Sequence, residues 1–350
     1  MKKYQIIIYG SYGYTGKLIV EESLSKNLDI LLAGRNNDRL KSQSEKTGYP
    51  YQAIDINNHD TLVAFLKEGD ILINAAGPFI NTAPQMVEAC IEAKIHYLDI
   101  NGDIKVFELI KTFDNKAIDA GIMLMSGTGF DVVPTDCMAV KLKKQMPDAI
   151  GLKIAFATIG GGVSHGTAST VASRLGEKSL RRENGKLIPV DFGKNGMWVD
   201  FGVKNLFTIS IPWGDVSTAY ESTGIPNIES FISMKPWIYK LLKFQGLINW
   251  LLRTKFIRKY IQQKIDSKPA GPDEEQRKNA YTLVWAEVKN QKGKSLTYKL
   301  QTPDGYTLTA IASLLIAKKV LSGNFKAGYQ TPAMVYGENL IFEIEGVKEI

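Results

Sequence analysis

Residues 6–16, Ile6-Ile7-Ile8-Tyr9-Gly10-Ser11-Tyr12-Gly13-Tyr14-Thr15-Gly16, decide the fold. Three consecutive branched apolar residues read as a strand buried on both faces, as in a parallel sheet. The strand breaks into glycines at 10, 13 and 16, and Lys17-Leu18-Ile19-Val20-Glu21-Glu22 then begins a helical pattern. Strand, glycine turn and helix together aim a helix N-terminus and bare backbone N–H groups at a pyrophosphate. The spacing is GxxGxxG: Gly13 and Gly16 keep the interval of a dinucleotide turn, and Ser11 stands where the first glycine is usual. A nucleoside-triphosphate P-loop is excluded. Gly10 lies one residue too far from Gly16-Lys17, and Leu18 replaces the hydroxyl residue that would hold magnesium.

Working outward, strand and helix patterns alternate through the first 130 residues. Candidate strands are Tyr4–Tyr9, Asp29–Ala33, Tyr51–Ile54, Ile71–Ala75, His96–Ile100 and Ile122–Ser126, with helices expected over Asn81–Ala93 and Val106–Ala120. Such alternation implies an α/β, doubly wound parallel sheet of the Rossmann kind. Three strand ends add chemistry. Ala33-Gly34-Arg35-Asn36 closes the second strand, where a dinucleotide fold meets the adenosine ribose; a carboxylate there would favour NAD, whereas Arg35 can pair with a 2′-phosphate and points to NADP. Asp55, after the third strand, fits either a receiver of the adenine amino group or a turn aspartate. Asn74-Ala75-Ala76-Gly77-Pro78-Phe79 ends the fourth, and its small residues allow a ribose or nicotinamide to lie against backbone. The expected cofactor-binding set is therefore Gly10, Ser11, Tyr12, Gly13, Tyr14, Thr15, Gly16, Arg35, Asn36, Asp55, Ala76, Gly77, Pro78 and Phe79.

Beyond the turn-rich Gly127–Pro134 the pattern changes. A helix is expected from Pro134 to about Gln145, then strands over Leu152–Thr158, Met197–Val203, Leu206–Ile211, Tyr281–Lys289 and Ser295–Gln301, with a helix over Thr167–Leu175. Runs of strands with segregated helices predict a second, α+β domain of mostly antiparallel sheet. The expected boundaries are 1–135 for the Rossmann domain and 136–304 for the second domain. The helix Leu308–Leu321 and the rest of 305–350 are expected to return to the first.

At 350 residues and 44% apolar, the chain can build two cores. Cys90 and Cys137 suit a reducing, cytoplasmic compartment rather than a disulfide scaffold. The first strand begins at once, leaving no space for a signal peptide, and no run of 18 uncharged apolar residues predicts a membrane span. Neither paired histidines nor spaced cysteines suggest a metal. The net charge of +7 is concentrated: residues 235–268 hold nine Lys or Arg against the single acid Asp266, so the remainder is close to neutral. Basic residues confined in this way, with no nucleic-acid-binding module, argue against a nucleic-acid partner. In the same segment Trp237, Leu241, Phe244, Ile248 and Leu251 recur at helical spacing, and Gly246 divides it. One reading packs this apolar stripe on the domain with a solvated basic face. The other lays residues 235–265 on an anionic membrane or over a lipid-like substrate.

Taken together, Gly10–Gly16, Ala33–Asn36, Asn74–Phe79, Tyr97-Leu-Asp-Ile-Asn-Gly-Asp103 and Gly129-Phe-Asp-Val-Val-Pro-Thr-Asp136 resemble the saccharopine dehydrogenase-like oxidoreductases. Ser164–Ala168, Pro212–Asp215, Tyr220–Asn227, Thr331–Ala333 and Gly337 are similar to the branch that includes trans-acting enoyl reductases. The resemblance implies an NAD(P)-binding Rossmann domain, a substrate domain inserted before a returning helix, and a cytosolic homodimer. It further implies hydride transfer to an enoyl, keto or imine bond of a hydrophobic or acyl-type small molecule. Asp131, Asp103, His165 and Tyr220 are the candidates to handle the proton; Asp131 reads equally as a helix N-cap ahead of Pro134. Two other readings stand beside this one. A saccharopine-type amino-acid dehydrogenase would hold carboxylates with Arg174, Arg181 and Arg182. A non-catalytic NADP-binding protein would use the basic segment on a membrane surface.

Overall fold

The computed structural model describes residues 3–173, 176–247, 249–267 and 269–350. Among them the strands, in chain order, are β1 (Tyr4–Tyr9), β2 (Ile30–Gly34), β3 (Tyr51–Ala53), β4 (Gly69–Asn74), β5 (His96–Asp99), β6 (Met123–Met125), β7 (Ala149–Ile159) and β8 (Ser179–Glu183). They continue with β9 (Lys186–Val190), β10 (Gly196–Asp200), β11 (Asn205–Ile211), β12 (Asn227–Ser233), β13 (Tyr281–Asn290), β14 (Ser295–Pro303), β15 (Gly328–Gln330) and β16 (Lys348–Glu349). The chain divides into two compact units, Met1–Val133 with Tyr306–Leu340, and Pro134–Gly305 with Ile341–Ile350.

The first unit holds a seven-stranded sheet in the order β15-β6-β5-β4-β1-β2-β3, every pair parallel. Ile6, Ile7 and Ile8 are fully buried, as strands covered on both faces require, and each such side chain contributes about 1.5–3 kcal/mol of burial free energy. β2 and β3 wind to one side of β1, while β4, β5, β6 and β15 wind to the other. The winding reverses between β1 and β4, so their carboxyl ends open the crevice in which this architecture binds ligands.

Two helices differ from expectation. The helix before β5 runs Phe79–Ala93 rather than from Asn81, because Pro78 takes the cap position and the Thr82 hydroxyl turns back onto the Ala76 carbonyl (2.8 Å). The pattern expected over Val106–Ala120 is two helices, Ile104–Lys111 and Asp114–Ala120. Between them the Thr112 hydroxyl bonds the Leu109 carbonyl and Phe113 turns into the core.

The second unit is built on a nine-stranded sheet, β10-β11-β12-β7-β13-β14-β16, with β8 joined to β12 and β9 joined to β8. Only β12 and β7 pair in parallel; the other pairs are antiparallel. Ala155, Ala157, Phe201, Phe231, Leu283 and Trp285 form a core on this sheet. Three features correct the sequence reading. Residues 341–350 belong to this unit rather than to the first, because β16 adds to the edge of β14. No helix is expected directly after Leu206–Ile211, yet Asp215 opens the helix Asp215–Thr223, which carries Tyr220. The apolar stripe Trp237, Leu241 and Phe244 faces outward on the helix Pro236–Leu242 and just beyond it, while Tyr239 and Leu242 turn inward onto Phe207 and Gly193. Ile248, counted in that stripe, lies outside the described residues.

Candidate dinucleotide site

The loop after β1 shows why glycine stands at 10 and 16. Gly10 has φ +81°, and a Cβ there would lie 2.9 Å from the backbone nitrogen of Ala76, just after β4. The two loops at the switch point therefore touch through backbone. A Cβ at Gly16 would sit 2.2 Å from the Gly10 carbonyl oxygen. Gly13 donates to Gly10 (2.9 Å), closing the turn, and accepts from Lys17 (2.9 Å), starting the helix Tyr14–Ser23. No side chain caps that helix, so its first turn presents N–H groups and the positive end of its dipole at the crevice. Tyr14 packs edge-on to Tyr306 of the returning helix Gly305–Leu321, with ring centroids 5.0 Å apart. A tightly packed glycine turn ahead of an uncapped helix N-terminus fits a dinucleotide pyrophosphate.

At the end of β2, Tyr12 organises the next loop. Its hydroxyl accepts from the backbone N–H of both Arg35 and Asn36 (3.1 Å each), and its ring lies so near Gly34 that a Cβ there would be 2.5 Å from Cε1. The Arg39 guanidinium rests 4.8 Å from the centre of the same ring. Ser11 is tied to Gln43 twice, its hydroxyl donating to Oε1 (2.8 Å) and its carbonyl accepting from Nε2 (2.9 Å). The Asn36 side chain caps the helix Asn37–Thr47 by accepting from the Arg39 N–H (2.9 Å). Asp55 accepts from the backbone and side chain of Asn57 (3.0 and 2.8 Å). An open hollow of about 390 Å³ is lined by Arg35, Ala53, Ile54, Asp55 and Asn57. Arg35 and Arg39 are both exposed here, two guanidinium groups where a 2′-phosphate would stand. Arg39 and Gln43 are additions to the sequence reading. Their signal was the helical spacing 35, 39, 43, which brings one helix face back to the end of β2.

Beyond β4 the strand ends share a buried polar network. Asn74 donates to the hydroxyls of Thr82 and Tyr97 (3.2 Å each) and accepts from the Ala76 N–H (3.0 Å). The Tyr97 hydroxyl donates to Asp99 (2.8 Å), whose carboxylate also accepts from the Ser126 hydroxyl (2.8 Å) and from the N–H groups of Asn101 (3.0 Å) and Gly127 (2.9 Å). Burial pushes the Asp99 carboxyl up, against the pull of these donors, and pushes the Tyr97 hydroxyl well above its ordinary value. The network carries the loop 127–131, which the returning helix also holds: Thr309 accepts from the Phe130 N–H (3.0 Å), and Ser313 bonds the Thr128 hydroxyl (3.2 Å). Asp131 ends this loop against Gly102, where a Cβ would lie 2.2 Å from its Oδ2, so a side chain there would displace the carboxylate. Burial pushes the Asp131 carboxyl up to about 7.

The remaining candidates have structural partners. Asp103 caps the helix Ile104–Lys111 by accepting from the Lys105 N–H (2.9 Å). His165 opens the helix His165–Ser173, and its Nε2 lies 2.7 Å from Asp266 at the end of the helix Lys255–Asp266. Tyr220 lies under the Arg182 guanidinium, 4.1 Å from its ring centre. Arg182 donates to the carbonyls of Val216 (2.7 Å) and Gly185 (2.8 Å), and Arg181 pairs with Glu183 at 2.6 Å. Arg174 lies outside the described residues. Among the described residues, no group of three or more His, Cys, Asp or Glu is arranged to hold a metal ion.

Comparison with known proteins bears on the same regions. Residues 6–125 match the family model of the saccharopine dehydrogenase NADP binding domain. A saccharopine dehydrogenase-like oxidoreductase of Rattus norvegicus is 26% identical over 219 residues, 54% of this chain and 51% of the relative. A trans-acting enoyl reductase of Mycobacterium ulcerans is 27% identical over 143 residues, 39% of this chain and 34% of the relative. The chain thus spans about half the length, or less, of these curated relatives. In fold it is similar to saccharopine dehydrogenase (L-Glu forming) of Saccharomyces cerevisiae, with a TM-score of 0.67 and 13% identity over 99% of this chain and 100% of the other. The glycine turn, the switch point and the basic end of β2 all fall within the segment, residues 6–125, that matches the saccharopine dehydrogenase NADP binding domain.

Proposed function

We propose that this protein is an NADPH-dependent oxidoreductase that reduces an enoyl, keto or imine bond in a hydrophobic, acyl-type small molecule. The observation that carries the cofactor choice is the paired, exposed Arg35 and Arg39 at the end of β2, where an NAD enzyme would carry a carboxylate. The names of the enoyl reductase relatives support the substrate class. NADPH, when bound, supplies the hydride. The chain's part is to hold the pyrophosphate on the Tyr14–Ser23 helix, to pair Arg35 and Arg39 with the 2′-phosphate, and to deliver a proton. Asp131 is the proposed donor: near neutral pH a carboxyl pushed up to about 7 is still partly protonated, and it leaves as the carboxylate when the proton completes the reduction. Asp103 is proposed as a positioning group through its cap on the helix Ile104–Lys111, while His165 and Tyr220 of the second unit are engaged by Asp266 and Arg182. The amino-acid dehydrogenase reading loses support because Arg181 and Arg182 are held within their own hairpin and helix.

Titration of the protein with NADPH and NADH, alongside Arg35→Ala, tests this reading. A charge-assisted contact contributes about 1.5–3 kcal/mol, so Arg35→Ala is expected to weaken NADPH binding by about tenfold to a hundredfold and to leave NADH unchanged. Equal affinity for both nucleotides in the unaltered protein overturns the cofactor assignment. NADPH consumption with a panel of enoyl and keto thioesters then addresses the substrate class, and turnover of an amino dicarboxylate instead would overturn it.

A further inference from the structure

The described residues between 235 and 267 form three helices and a short turn whose inner side is pinned to the second unit by specific contacts. Tyr239 meets Phe207, Gln245 donates to the Phe192 carbonyl (2.7 Å), Arg253 donates to the Gly176 carbonyl (2.7 Å), and Arg258 pairs with Glu177 (3.2 Å). On the helix Lys255–Asp266, Ile257, Ile261 and Ile265 are half-buried against the helix His165–Ser173, and Gln262 reaches Ser169 (2.9 Å). The outer side is the unusual one. Trp237 is 58% exposed, Leu241 60%, Phe244 67% and Phe256 78%, and neither the helix Pro236–Leu242 nor the helix Lys255–Asp266 buries a single residue fully. Trp198, also exposed, packs edge-on to Phe207 (5.6 Å) and so extends the aromatic surface from β10 to Tyr239. Interleaved with these apolar residues are the exposed Lys235, Lys240, Lys243, Lys255, Lys259 and Lys264, none of which has an acidic residue three or four positions away on its own helix.

Large apolar side chains left in water call for a cover, and the charge of this face selects it. A second copy of the chain docked through the same face would bring two segments of nine cations and one acid each into apposition. A surface of opposite charge with an apolar interior removes that conflict: lysines meet phosphates while Trp and Phe rings enter the headgroup boundary. We propose that residues 235–267 are an interfacial docking surface for an anionic lipid bilayer. The helices lie flat on it, with Trp237, Leu241, Phe244 and Phe256 inserted and the six lysines at the phosphate level. This does not depend on the redox reading.

Co-sedimentation of the full chain with phosphatidylcholine vesicles, with and without phosphatidylglycerol, tests the proposal. Binding is expected only to the anionic vesicles and is expected to weaken as salt rises. Each neutralised lysine is expected to cost about fivefold in affinity, so the double variant Lys255→Gln/Lys259→Gln should bind at least tenfold more weakly. Trp237→Ser/Phe256→Ser should weaken binding at unchanged salt dependence, because it removes insertion and leaves the charge. All four positions are exposed, and circular dichroism with a thermal melt establishes that each variant is folded; the salt series on the unaltered protein stands without them. Failure to bind anionic vesicles, or binding that ignores both variants, overturns the proposal. So does light scattering that shows a dimer which Trp237→Ser/Phe256→Ser converts to monomer, since the face is then covered by a second copy.

Discussion

Asp131 sits in a setting unlike that of an ordinary surface carboxylate. Its approach to residue 102 leaves no space for a Cβ, and burial raises its carboxyl to about 7 from the ordinary 3.8. The consequence for stability has a definite sign. Between about pH 4 and 7 the unfolded chain has released this proton while the folded chain still holds it, so the folded state loses stability as pH rises through that window. The loss is at most about 4 kcal/mol at the full shift, and smaller to the extent that water reaches the group. Asp131→Asn is therefore expected to flatten the pH dependence of urea unfolding between pH 5 and 7.5. If Asp131 is the proton donor, the same variant lowers turnover sharply and removes the fall in rate above pH 7; unchanged turnover would assign the residue to stability alone. Arg35 belongs to the same scale. The sequence placed it from register alone, and its exposure beside Arg39 supplies the partner that a single position in a string could not show.

At the level of elements, the carboxyl ends of β4, β5 and β6 are fastened to one another through Asp99 rather than through the strands alone. A carboxylate with no exposed surface is tolerated because Tyr97, Ser126, Asn101 and Gly127 all donate to it. Tyr97→Phe removes one of these donors and also strands an amide hydrogen of Asn74, and is expected to cost about 1–3 kcal/mol in urea unfolding. Loss below about half a kcal/mol would mean that the remaining donors suffice. The sequence reading quoted Asp99 only within the stretch Tyr97–Asp103 and gave it no role. Tyr97 and Asn101 are two residues away, but Ser126 and Gly127 come from the end of β6, 27 and 28 residues on, and nothing in local spacing marks that pairing. The helical stripe at 237, 241 and 244 was legible as helix. Which side it shows was not, because a stripe of apolar residues has the same period whether it meets a core or solvent.

For the whole molecule, the two cysteines give a simple check on the cores. Cys90 and Cys137 are both buried thiols, Cys90 on the helix Phe79–Ala93 and Cys137 on the helix Val133–Gln145. A thiol reagent such as Ellman's is expected to titrate both only after denaturation, and reductant should leave the melting temperature unchanged; rapid reaction of either thiol in the native protein would contradict this packing. No helix among the described residues is long and apolar enough to cross a membrane. By itself the sequence determined the parallel sheet of the first unit, the glycine turn with its helix N-terminus, and the basic residue after β2. These are local matters: period-two and 3.6-residue patterns, glycine's freedom at positive φ, and one residue at a strand end. Tertiary structure alone decided that residues 341–350 add a strand to the second sheet, that Thr309 and Ser313 hold the loop carrying Asp131, and that the stripe at 237–244 faces outward. Each of these rests on contacts between residues far apart in the chain, or on which face has a neighbour, and such pairings are chosen by packing and hydrogen-bond satisfaction over the folded chain rather than by any local pattern.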